Sequence, residues 1–143
     1  MLSLRQEPLV VVLPENHRLT HQSTISLADL VEEEFVLPLY QVVDGLPEQI
    51  YQICSQAGFV PKVTQEAIFM VTILGLVSAE IGISILPSSV QNLHRQGVVY
   101  RPIQEQTLAT QLTVAWRRDN SSPILQQFLK IALLYATSSN SNN

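Results

Sequence analysis

Apolar positions recur along this chain in three patterns, and each pattern predicts a different element. Residues 9–13 (LVVVL) form an unbroken aliphatic run, the mark of a strand buried on both faces, and Pro14 ends it because proline cannot donate to a ladder. Residues 35–39 and the short run of Ile83, Ile85 and Leu86 read as further strands, the latter closed by Pro87. The second pattern is helical spacing. Ile68, Val71, Leu74 and Val77, with Gly75 and Ser78 beside them, predict a helix that is apolar or small on two sides and sandwiched between a sheet and another element. Residues 46–57 place Ile50, Ile53, Cys54 and Ala57 on one stripe, with Pro47 in the first turn and Gly58 past the end. Residues 24–31 suggest a short amphipathic helix capped by Ser26, with Leu27, Leu30 and Val31 inward. Ser88 or Ser89 opens another short helix, to His94, and Gly97 turns the chain. Ser121, Ser122 and Pro123 open a last helix running to about Tyr135.

The third pattern is alternation. Residues 111–116 place Leu112, Val114 and Trp116 on one side of a strand; residues 98–103 alternate only partly, and Arg101-Pro102 assigns that strand to an edge or a crossover. Val63 and Ala67 flank the polar Thr64, Gln65 and Glu66 in an extended segment. The most apolar stretch, residues 61–87, therefore reads as strand, helix, strand. Such a unit implies a right-handed crossover between parallel strands, with the open end of the sheet beside the helix N-terminus near Glu66, where ligands of open α/β sheets bind.

Composition narrows the class. A chain of 143 residues, 46% hydrophobic and 14% charged, has enough apolar material for one buried core. A formal charge of −4 offers no basic footprint for a phosphate backbone, so no direct DNA contact is expected. One cysteine, Cys54, excludes an internal disulfide and every multi-cysteine zinc pattern; with no basic-then-apolar leader and no run long enough to span a bilayer, a cytoplasmic location is expected. Residues 137–143 are a polar tail, expected to be disordered.

The catalytic inventory is thin. Five glycines give neither GxGxxG nor GxxxxGK, and no serine stands in a GxSxG turn. His17 and His21 have the i, i+4 spacing of a chelate but lack a third ligand, so no metal is expected. Glu32, Glu33 and Glu34 read as a solvated rim, and Glu66 as either a first-turn helix acid or a ligand contact. No enzyme activity and no cofactor are expected.

Six blocks in order, LPENHRLT, ISLADL with FVLP, AGFVPKVTQEA, LGLVSAEIGISILPSS, GVVYRPI and TQLTVAWRRDNSSPILQQFL, resemble the effector-binding region of LysR-type transcriptional regulators, over roughly residues 9–134, with the aromatic-catabolism branch nearest. The resemblance implies an α/β, periplasmic-binding-protein-like fold: one complete lobe plus the crossover strands and last helix of the other. It assigns residues 1–14 to the first crossover strand, 15–109 to the regulatory lobe, and 110–136 to the return crossover and C-terminal helix; the opening half of the first lobe and the winged helix-turn-helix lie outside this sequence. It implies a small organic effector, a carboxylate among the candidates, held by Pro38, Tyr40, Thr64, Gln65, Glu66 and Ile68, and a homo-oligomer, with a dimer through the straps and last helix favoured. The competing readings are a solute-binding protein and an enzyme on the same architecture. One departure stands out: Glu80 occupies a helix-to-strand turn where the family commonly has glycine, and a left-handed glutamate there costs roughly 1 kcal/mol.

Overall fold

The computed structural model describes residues 1–39, 45–105, 107 and 109–139, which divide into two units, Pro8–Leu108 and Met1–Glu7 with Ala109–Asn143. Pro8 interrupts the ladder at the first boundary. The opening fourteen residues, expected as one crossover strand, are accordingly two strands, β1 (Leu2–Glu7) and β2 (Leu9–Pro14), and each pairs in a different sheet.

In the larger unit β2 is central, as its aliphatic run requires. It pairs antiparallel with β5 (Ser84–Pro87) on one side and β6 (Val98–Pro102) on the other, and Val11, Val12 and Leu13 are fully buried. β6 takes the outer position, where Pro102 costs no ladder bond; the Arg101 guanidinium ties it to the carbonyls of Thr20 and Gln22, each at 2.9 Å. β3 (Glu34–Pro38) pairs parallel with β4 (Lys62–Ala67), and two 2.8 Å bonds between Val36 N–H and Ile83 O, and Ile83 N–H and Glu34 O, join this pair to the lead-in of β5. The strands flanking α2 (Met70–Ser78) are thus not neighbours, because β3 lies between them.

α1 (Leu46–Gln56) buries Ile50, Ile53 and Cys54 of the stripe the spacing predicts, together with Leu46, while Ala57 stands past the helix end as its C-cap and is partly buried. α2 differs from expectation. It buries Ile73, Leu74 and Val77, while Val71 is 61% and Ile68 45% exposed, because one face of the helix is covered and Ile68 precedes its first turn. Residues 24–31 hold a single 3-10 turn, Leu27–Leu30, with Val31 left at the surface; Ser26 caps it, its Oγ accepting from Ala28 N–H at 3.3 Å. A second such turn, Arg18–His21, is capped by His17 rather than by serine, and a third, Ser88–Leu93, starts after Pro87 without a side-chain cap. The turn after α2 does place Glu80 in the left-handed region, at φ 61°. Two residues on, Gly82 lets β3 come close: a Cβ there would stand 2.6 Å from Glu34 O.

The smaller unit consists of β1 antiparallel to β7 (Thr110–Val114), with α3 (Pro123–Ser139) packed on β1. β7 stops at Val114, two residues before the expected end. α3 passes through Tyr135 to Ser139, so residues 137–139 are helical rather than part of a tail; residues 140–143 lie outside those described.

Candidate functional site

In a parallel strand pair both carboxyl ends open on the same edge of the sheet, and at β3 and β4 that edge is marked by Pro38 opposite Ala67. The ladder continues one step further, with Leu39 N–H donating to Ala67 O at 3.0 Å. The pairing is not regular. Phe35 faces Val63 but Val36 faces Gln65, so Thr64 is the extra residue of a bulge and its Oγ donates to Phe35 O at 3.4 Å. Bulges re-aim side chains. Here Thr64, Gln65 and Glu66 in succession, with Leu39 and Val63, line one open depression of about 490 Å³.

Among the described residues the polar groups of this depression are nearly unspent on the protein itself. Within that set Gln65 Nε2 reaches only Glu66 O, at 3.4 Å, and Thr64 holds its single long bond. β4 then leads through Ile68 and Phe69 into α2. Phe69 stands at the N-cap and has no side chain able to accept, so the N–H groups of the first turn receive no side-chain cap. The depression thus offers one amide, Gln65, and one hydroxyl, Thr64, as donors and one acid, Glu66, able to accept from a hydroxyl or amine, and the uncapped helix start follows Glu66 within four residues along the chain.

Of the residues singled out in the sequence, Thr64, Gln65 and Glu66 come together here. Pro38 is buried at the end of β3, Ile68 is half exposed between strand and helix, and Tyr40 lies outside the described residues. Leu39 and Val63 share the depression without having been singled out as site residues: Leu39 follows β3 at the edge marked by Pro38 and Ala67, and Val63 lies at the start of β4, beside the bulge.

A larger depression, about 610 Å³, lies at the other ends of the strands, between Pro14, His17, Arg18, Glu33, Glu80 and Ile83 among others. Three of its groups, His17, Arg18 and Glu33, hold one another. His17 Nδ1 accepts from Leu19 N–H at 3.2 Å, which leaves Nε2 as the donor to Glu33 Oε2 at 3.0 Å, and Arg18 Nη2 donates to Glu33 Oε1 at 2.6 Å. Near the turn at Ser26, burial raises the Glu105 carboxyl, but hydrogen bonds from Ser26 Oγ at 2.7 Å and Leu27 N–H at 3.1 Å outweigh it and carry the group below the usual carboxylate range. The Cys54 thiol is pushed up to about 12 by burial, which removes it as a nucleophile at neutral pH. Among the described residues no group of three His, Cys, Asp or Glu converges to hold a metal ion, and no helix is long and apolar enough to cross a membrane.

A family model described as "LysR substrate binding domain" matches residues 1–135. The chain is 34% identical over 128 residues to the HTH-type transcriptional regulator AlsR of Bacillus subtilis, covering 90% of this chain and 42% of that protein. It is 32% identical over 132 residues to the Hca operon transcriptional activator HcaR of Escherichia coli, covering 91% of this chain and 44% of that protein. The chain thus spans less than half the length of these curated relatives. Among solved structures, the effector-binding domain of QuiR in complex with shikimate superposes with a TM-score of 0.82 at 28% identity, over 96% of this chain and 65% of that one. The effector-binding domain of BenM with benzoate gives a TM-score of 0.80 at 23% identity, over 99% and 65%, a likeness of fold.

Proposed function

The chain belongs to the LysR substrate-binding domain family, with that family's periplasmic-binding-protein-like α/β fold, and from this premise we propose that it senses a small organic effector for a LysR-type transcriptional regulator. The observation that carries the reading is the donor-rich corner at the carboxyl ends of β3 and β4. Thr64, Gln65 and the uncapped start of α2 suit the carboxylate of a small organic acid, Glu66 a hydroxyl on the same molecule, and Leu39 and Val63, which line the same depression, its apolar body. Shikimate, bound by QuiR, combines those features. Sensing is favoured over catalysis because, among the described residues, this corner pairs neutral donors with one acid and assembles no nucleophile with a base.

In this reading the chain acts in the cytoplasm, makes no direct contact with DNA, passes ligand occupancy to a DNA-binding part, and works as a homo-oligomer. The test is thermal denaturation against a panel of small organic acids that includes shikimate and benzoate. One of them is expected to raise the melting temperature of the parent, and Gln65→Ala to reduce that shift while leaving the ligand-free melt unchanged. Equal shifts in parent and variant would remove Gln65 from the site; no shift with any acid would remove the carboxylate.

A further inference from the structure

The guanidinium of Arg101 is anchored by the fold but not neutralised by it. It donates from Nε to Gln22 O, from Nη1 to Tyr100 O and from Nη2 to Thr20 O, each at 2.9 Å, and all three acceptors are uncharged. Among the described residues no carboxylate pairs with it: the acids in ion pairs are Glu33, Glu34 and Asp119, each with another partner. A guanidinium carries five N–H donors, so three bonds leave one N–H on each Nη, the two atoms with which arginine grips an oxyanion end-on. Arg101 lines an open depression of about 430 Å³ together with Thr20, His21 and Ser23 among others. No acid borders it, unlike the two depressions described above, although the chain carries a formal charge of −4. Its backbone acceptors are largely spent, because the carbonyls of Thr20, Gln22 and Tyr100 hold the guanidinium and Pro102 O accepts from Ile25 N–H at 2.9 Å. Its donors are not: among the described residues the His21 ring and the Ser23 hydroxyl hold no partner.

We propose that this depression binds a phosphate group, as inorganic phosphate or as a small phosphate monoester. Arg101 takes two of its oxygens, and the His21 ring and Ser23 hydroxyl serve the third; a phosphate presents three strong acceptor oxygens where a carboxylate presents two. The ligand ties residues 20–23 more firmly to β6, the outer strand beside β2. The site shares no residue with the depression at the carboxyl ends of β3 and β4, so it gives the lobe a second input, independent of the effector reading.

Thermal denaturation of the chain in rising inorganic phosphate, against sodium chloride of equal ionic strength at the same pH, is the first measurement. The melting temperature of the parent rises and the rise saturates. The double variant His21→Ala, Ser23→Ala melts like the parent in chloride, since neither side chain holds a contact among the described residues, and its half-saturation concentration rises by about tenfold for each hydrogen bond to a charged group that is lost. Glycerol phosphate in place of inorganic phosphate separates the two sources: half-saturation at lower concentration assigns a monoester, and at higher concentration the free ion. A rise that is absent, or that never saturates and is equal in both proteins as expected of an excluded salt, overturns the site. A saturating rise retained in the double variant and lost in Gln65→Ala moves the phosphate to the corner at β3 and β4 and overturns it equally. An equal, saturating rise with acetate overturns the phosphate assignment.

Discussion

Replacing Leu74 by alanine tests the packing of α2 against the strands of the larger unit. Leu74 is 1% exposed, between Ile73 and Val77 on the side of α2 that meets β2 and β3, so its truncation removes three carbons from a site with little room to collapse. Leucine-to-alanine changes of this kind cost about 2–5 kcal/mol, and with a urea dependence of about 1–3 kcal/mol per molar the midpoint falls by roughly 1–2 M. The control is Val71→Ala, three residues earlier and equally apolar in sequence. Val71 is 61% exposed, so its loss shifts stability by less than about 0.5 kcal/mol and gains a little helix propensity. Urea titrations followed by far-UV circular dichroism compare the two. Equal midpoint losses, or a larger loss at Val71, would mean that α2 is turned about its axis relative to the packing described above.

Three further outcomes follow from individual residues. Cys54, with its thiol pushed up to about 12, stays unmodified by a maleimide in folded protein at pH 7 and reacts stoichiometrically in denaturant; fast labelling of folded protein would refute its burial. The Glu105 carboxyl lies below its ordinary value of 4.5 in the folded chain, so it contributes stability that is complete above that pH and lost as pH falls through the folded value. Glu105→Gln therefore flattens the acid limb of the stability profile, and an unchanged limb would show that Glu105 is not the titrating group. Glu80→Gly relieves a left-handed glutamate at a solvent-facing turn and stabilises by up to ~1 kcal/mol, part of the relief being offset by the freer unfolded chain; a lowered melting temperature would contradict this.

The strands were legible wherever both faces are buried. Residues 9–13 could be little else than a central strand, and Pro14 and Pro87 mark ends that the ladder respects. β1 was missed for the opposite reason: LSLRQE mixes half-buried and exposed positions, and its fit to β7 is a long-range pairing that no local pattern announces. In α2 the apolar residues are too many, not too few. When Phe69, Met70, Val71, Ile73, Leu74, Leu76 and Val77 are all hydrophobic, the period no longer identifies which side faces the sheet, and tertiary packing decides it. At the candidate site, Thr64, Gln65 and Glu66 were legible as a polar interruption at a strand end. The bulge that presents them was not, since it arises from the register between β3 and β4.

Size alone would have chosen a different site. The larger depression at the amino ends of the strands gathers His17, Arg18 and Glu33, residue types that usually advertise chemistry, yet both Glu33 oxygens and both His17 ring nitrogens are engaged within the chain. A ligand entering there to bind His17 or Glu33 would have to displace bonds those groups already make, an exchange of little net value. Those contacts instead pin the loop after β2 to the residues that precede β3. The smaller depression at the carboxyl ends has the opposite economy: among the described residues its amide and hydroxyl hold only 3.4 Å contacts, and the helix that follows in the chain has no side-chain cap. Donors left unspent by the fold can reward an incoming carboxylate, and this is what favours the carboxyl edge over the larger depression as the proposed effector site.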